Sequence, residues 1–180
     1  MIAYLFLLLA IVSRVVPHTV NLTAVGGSLL FFGARRSRWQ TAIAVVALAA
    51  TDFYLTHFAY GYAFHAQDYL VTWAWYAGVC LLGHGLLGRN TSALRVGAAV
   101  FTSATSFFVI SNFVVWMGMG SGLYAHSAAG LLACYSAAIP FYGNDLVSTG
   151  IIAGALFGLP VLGRKLADAM HRNGNDSAAA

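Results

Sequence analysis

The first thing this 180-residue chain lacks is charge: Asp, Glu, Lys and Arg together make up 8% of it. A soluble domain carries about 25%, so a water-facing globule is excluded. Cysteine is scarce as well. Cys80 and Cys134 both sit in apolar stretches and form neither a disulfide framework nor a CxxC motif. No GxGxxG or Walker-type loop occurs, so no nucleotide site is expected, and any ATP-driven step would have to come from another chain. No internal repeat is visible. The opening "MIAYLFLLLAIVSRVVP" lacks a basic leader and a small-x-small cleavage site, and reads as a first transmembrane helix rather than a secretory signal.

What is present is apolar surface: 60% of the residues are hydrophobic and the mean hydropathy is +0.77. That composition predicts an all-α integral membrane protein. Apolar runs cover 2–16, 19–34, 39–60, 69–88, 96–117 and 127–163. A membrane span needs about 20 residues. The third to fifth runs fit, while the first two are short and separated by a turn at Pro17-His18. The last is too long for one span and is expected to break at Pro140 and the "FYGND" that follows.

Basic residues cluster at Arg35/Arg36/Arg38, Arg89/Arg95 and Arg164/Lys165. The net charge of +4 is concentrated there, which marks topology rather than a nucleic-acid surface. If all three clusters are cytoplasmic, two spans precede each cluster, and after the fifth span, which ends at Met117, only one more crossing is needed to reach the third. Residues 127–139 are then an extra helix at the outer face and 146–163 the sixth span. The expectation is a single six-span domain over 1–165, a flexible cytoplasmic tail over 166–180, and both ends inside. This orientation puts His18, His57, His65 and His126 near the outer face, with Asp68, Asp145, Tyr60, Tyr62, Tyr69, Tyr124 and Trp116. Single aromatics there are often membrane-belt residues, but the crowding of histidines points to a polar mouth.

The fourth run holds "WAWYAGVCLLGHG". On a helix, Trp73, Tyr76, Ala77, Cys80, Gly83, His84 and Leu87 share one face. Cys80 lies about 16 Å below Tyr69 at 1.5 Å per residue, at the floor of a pocket opened from outside, with Gly78 and Gly83 leaving room for a flat ligand. The bland reading of Cys80 and Cys134 is a buried small hydrophobe, and that of His84 a hydrogen bond to a neighbouring helix. A Cys/His pair is too small a set for structural zinc, so no free metal is expected. Soft thiolate better suits a metal already held in a macrocycle with one axial position open.

Arg14 and Asp52 fall inside spans and are functional candidates on that ground. They could pair across the bundle, or Arg14 could face a ligand phosphate or amide while Asp52 orients a donor. Ser103 and Ser106 read as interhelical glue. Asn112 and Trp116 share a face near the outer mouth and are pocket candidates.

The length, the six runs, "FFGARR" after the second and "TWAWYAGVC" in the fourth resemble BtuM, the family of cobalamin-specific substrate-binding (S) components of energy-coupling-factor transporters. The resemblance covers about the whole chain, and its most specific element is the cysteine at position 80. It implies a bacterial cytoplasmic-membrane protein that takes up cobalamin from the outer side. It also implies that Cys80 ligates the corrin cobalt in place of the dimethylbenzimidazole base. Cyanide on the opposite face would then be labilised, so that uptake could include decyanation. The resemblance carries over to Cys80 alone. Read from the residues themselves, the aromatic face of Trp73 and Tyr76 suits the corrin ring, and Tyr, His and Asn groups at the mouth such as His57, Tyr60 and Asn112 suit its amides. His84, Trp116 and Arg14 are further binding candidates. One departure is that the first helix has Ala3 and Ala10 but no AxxxA pair, on which many S components dock an energising module. That leaves a solitary transporter or a different docking surface. The competing readings are a membrane haem or quinone protein using His57 and His84, and an S component for another vitamin in which Cys80 is inert.

Overall fold

A computed structural model describes residues 1–16, 22–118 and 123–178, with backbone alone for Leu166 and 171–178. The turn at Pro17-His18, and His18 with it, lies outside them. The described residues are helical throughout their regular structure, in the order α1 (Ile2–Val15), α2 (Val25–Arg35), α3 (Thr41–Tyr54), α4 (Leu70–Leu87), α5 (Ala93–Trp116) and α6 (Ala128–Ala178). Four helical segments are long and apolar enough to cross a membrane: Arg38–Ala59, Ala66–Leu87, Ala93–Trp116 and Ala128–Met170. The chain is a membrane protein by that measure. α1 and α2 are shorter, at 14 and 11 residues.

Local signals set the helix starts. Ser37 and Gln40 form a reciprocal capping box that launches the turn Arg38–Gln40 into α3. Ser92 caps α5 by accepting from the Arg95 N–H at 3.4 Å. α3 continues into a π-helical turn, Leu55–Ala59, before the chain reverses toward α4.

The core is built around α2. Every residue from Val25 to Ala34 is buried, so this helix meets protein on all sides and little or no lipid. Glycine lets its neighbours come that close. A Cβ on Gly33 would run into the backbone carbonyl of Cys80, and one on Gly83 into that of Leu30, so α2 and α4 cross backbone against backbone. Ala3, Leu7 and Ala10 form the buried stripe of α1, which places the small residues of that helix inside the bundle rather than on a free docking face.

The basic clusters share one end of the bundle. Arg35, Arg36, Arg38, His84 and Arg89 line a common cleft, Met1 lines a second cleft with Arg35 and Arg36, and Lys165 lines a third with Thr91 and Ala93. We call this the arginine end, and the end where α3 turns into α4 the aromatic end.

The last element differs from expectation. The extra helix over 127–139 and a separate span over 146–163 are one helix, α6, which passes through Pro140 and Pro160 unbroken. Proline removes an N–H and crowds the preceding turn, but within membranes a packed neighbour compensates. α5 does so here on both sides of Pro140: Tyr135 donates to the Val109 carbonyl at 2.6 Å, the Cys134 thiol to that of Asn112 at 3.4 Å, and the Tyr142 and Thr105 hydroxyls meet at 3.0 Å. Because α6 continues past Pro140, Asp145 is not at a helix end. It lies level with Ala104, the middle of α5, between the Tyr142–Thr105 contact and that of Gly150 with Val100. α6 also takes in most of the segment expected as a tail, reaching Ala178.

Candidate functional site

Near the aromatic end, three separate helices contribute to one polar cluster. Arg14 from α1 forms an ion pair with Asp52 of α3 and donates to the Tyr76 hydroxyl of α4 at 3.1 Å. Trp73, one turn further out on α4, donates its indole N–H to the second Asp52 oxygen at 2.9 Å. Both carboxylate oxygens are therefore engaged, and the Asp52 side chain is 1% exposed. The pairing alternative is the one the structure shows. Trp73 also ends a stack of near-parallel rings with Tyr69 at 6.1 Å and Phe64 at 6.4 Å. The Tyr69 hydroxyl bonds Thr56 in the π-helical turn, a local geometry that recurs at functional sites.

Cys80 lies one turn below Tyr76 and two below Trp73 on this face. It is 0% exposed, with its carbonyl against Gly33. The room expected from glycine goes elsewhere: the Gly83 side is filled by α2, while Gly78 is exposed and faces open space. The thiol is therefore sealed, with α2 beside it and the Arg14–Asp52–Trp73–Tyr76 cluster toward the aromatic end. A flat ligand reaches Cys80 only when those side chains part.

The remaining candidates divide between other places. His84 turns away from this cluster: its Nδ1 lies 3.3 Å from the Arg36 carbonyl, and it lines the arginine-end cleft of about 600 Å³. The α4 face placed it below Cys80 but could not say which neighbour it would meet. His57 stacks on Phe53 at 5.6 Å at the other end of the bundle, so His57 and His84 do not face each other as a haem pair would. Tyr60 follows the π turn and is 62% exposed. Asn112 donates to the Phe108 carbonyl at 2.7 Å and lies beside α6. Trp116 donates to the Ala125 carbonyl at 3.0 Å, against His126. Asn112 thus belongs to the α5–α6 interface and Trp116 to the contact of α5 with the segment before α6, and neither makes its hydrogen bond to α4. Cys134 is buried at the same interface. Among the described residues no group of three or more His, Cys, Asp or Glu could hold a metal ion.

Sequence reasoning passed over Trp75. It is buried, it meets Phe107 at 4.6 Å, and it donates to the Ser106 hydroxyl and the Ser103 carbonyl. It bolts α4 to α5. Its offset of two from Trp73 put it on a face that a single-stripe reading leaves to lipid, although indole N–H groups in apolar surroundings need a partner.

Fold and site together define an all-helical membrane protein with a sealed thiol beneath an aromatic, ion-paired cluster. The chain belongs to DUF6580, a family of unknown function whose model matches residues 1–170. Comparison with curated proteins and with solved structures finds no match.

Proposed function

We propose that this protein captures cobalamin at the outer face of a bacterial cytoplasmic membrane and carries it inward, with Cys80 as the axial ligand of the corrin cobalt. The observation that carries the reading is the placement of Cys80, a free thiol on the same α4 face as Trp73 and Tyr76 and directly below the cluster they form with Arg14 and Asp52. Cobalt in a corrin needs one soft donor from below, and the ring needs aromatic surface and amide partners around it. In this reading the arginine end is cytoplasmic by the positive-inside rule, all six helices traverse the membrane, and both termini lie inside.

The enclosure of the thiol sets the order of events. Cobalamin first engages the exposed aromatic end, then displaces Tyr76 and Trp73 from Arg14 and Asp52, whose freed groups turn to rim amides. Sulfur then takes the axial position of the dimethylbenzimidazole nitrogen, whose bond to cobalt breaks. The thiol proton, lost on binding the cation, passes to the freed base or to the departing cyanide, and cobalt stays cobalt(III). Donation from sulfur weakens the bond on the opposite face, so cyanide leaves cyanocobalamin. With the Ala3/Ala10 stripe buried in α1, the protein works alone or meets an energising module on another surface. The test is the absorption spectrum of the full-length protein produced with cobalamin in the medium. A corrin spectrum supports the reading, and a haem Soret band or no chromophore would sink it.

A further inference from the structure

We propose that Asp145 heads a binding site for a small monovalent cation, sodium or a proton carried as hydronium, midway along the α5–α6 interface. The inference goes beyond the cobalamin reading and does not rest on it.

Asp145 is 9% exposed. Its Oδ1 accepts from the Thr149 hydroxyl at 3.4 Å, and its Oδ2 is buried with no hydrogen-bond partner among the described residues. The contrast with Asp52 is direct, since that carboxylate has an arginine and an indole on its two oxygens. Among the described residues no basic group is hydrogen-bonded or ion-paired to Asp145. α5 contributes no ionisable residue between Ala104 and Asn112, and α2, whose Gly26 meets Thr149, has none from Val25 to Ala34. The ionisable residue nearest in sequence is Tyr142 on α6 itself, whose hydroxyl is engaged by Thr105. An uncompensated carboxylate at this depth is costly, so it takes up a proton itself or holds a cation that offsets the charge.

The cavity beside it identifies the chemistry. It has a volume of about 90 Å³ and is lined by Asp145, Ser111, Asn112 and Tyr142 among aromatic side chains. Ser111 donates its hydroxyl hydrogen to the Phe107 carbonyl at 2.6 Å, and Asn112 donates its amide hydrogen to the Phe108 carbonyl at 2.7 Å. The acceptors left for the cavity are the Ser111 hydroxyl oxygen and the Asn112 amide oxygen beside the bare Asp145 oxygen, with the second Asn112 N–H and the Tyr142 hydroxyl the other polar groups on its wall. Oxygen acceptors around one negative charge suit a hard cation of single charge, and the volume of about 90 Å³ holds such an ion with a water. Transporters driven by ion gradients place their coupling ions at this depth, and this chain carries no nucleotide loop of its own.

The experiment is thermal unfolding of the purified full-length protein and its Asp145→Asn variant, in sodium or choline chloride at equal ionic strength and over a range of pH. If sodium is the ion, it raises the wild-type midpoint relative to choline and leaves Asp145→Asn unmoved. If the proton is the ion, sodium has no effect, and the wild-type midpoint falls with rising pH by about 3–5 °C per unit more than that of the variant. The sign follows because a proton held only by the folded state stabilises below the pH at which it is lost. Identical responses of the two proteins to both sodium and pH overturn the proposal. Should Asp145→Asn fail to fold, Asn112→Ala removes one oxygen without touching the charge. It should weaken the wild-type ion response about tenfold in half-maximal concentration, and an unaltered titration overturns the site.

Discussion

Arg14 and Asp52 stand on α1 and α3, and each is a charge that the apolar bundle tolerates only because the other is there. Removing one partner leaves the other buried and unpaired. Arg14→Met should therefore cost about 3–5 kcal/mol of stability, read as a lowered unfolding midpoint. Arg14→Met combined with Asp52→Leu should recover much of that loss, because the orphaned charge goes too. A double variant no more stable than Arg14→Met would mean that the pair does not act as a unit. This pairing was legible as one of two options, since two opposite charges inside spans have few places to go. The direction of His84 was not legible. Helical periodicity fixes which residues share a face, but the partner across that face, here the Arg36 carbonyl, depends on which helix lies alongside.

Glycine separates the interior of the helix pair α2–α4 from its surface. Gly33→Ala pushes a methyl group into the Cys80 carbonyl and should destabilise by about 1–3 kcal/mol. Gly78, two residues before Cys80 and with nothing within reach of an added Cβ, should gain about 0.5–1 kcal/mol on Gly78→Ala from helix propensity alone. Equal unfolding midpoints for the two variants would contradict the close crossing. Sequence placed both Gly78 and Gly83 beside the thiol as room for a ligand. It could not distinguish a glycine that faces open space from one that admits another helix backbone. Pro140 shows the same limit. As a local signal it ends a helix, and what holds α6 together across it is packing on α5, through the hydrogen bonds of Tyr135, Cys134 and Tyr142 with that helix.

For the bundle as a whole, membrane class and helical content were plain in composition, because few charges and long apolar runs leave no soluble alternative. The clustering of Arg35, Arg36, Arg38 and Arg89 at one end follows from the same parity argument that spaced them along the chain. Sidedness is open to direct measurement. Both native thiols are buried, at 0% and 2% exposure, so an impermeant maleimide should report on an added cysteine. Asp68→Cys should label from outside intact cells, and Ser37→Cys only after permeabilisation. The opposite pattern would turn the protein over and put the arginine cleft outside. The pocket candidates Asn112 and Trp116 fared differently from Trp73 and Tyr76. Their depth along a helix was readable, but adjacency sends Asn112 to α6 and Trp116 to the segment just before it.

The account turns on sulfur reaching cobalt, and absorption spectroscopy of purified protein mixed with cyanocobalamin reads that step directly. Wild type should shift the corrin bands and release cyanide as the axial base is displaced. Cys80→Ser, with a harder oxygen in place of sulfur, should lose the shift while keeping some binding through the rim, and Cys134→Ala and His84→Ala should behave as wild type. A Cys80→Ser protein that keeps the altered spectrum, with His84→Ala losing it, would contradict thiolate ligation and make the histidine the ligand.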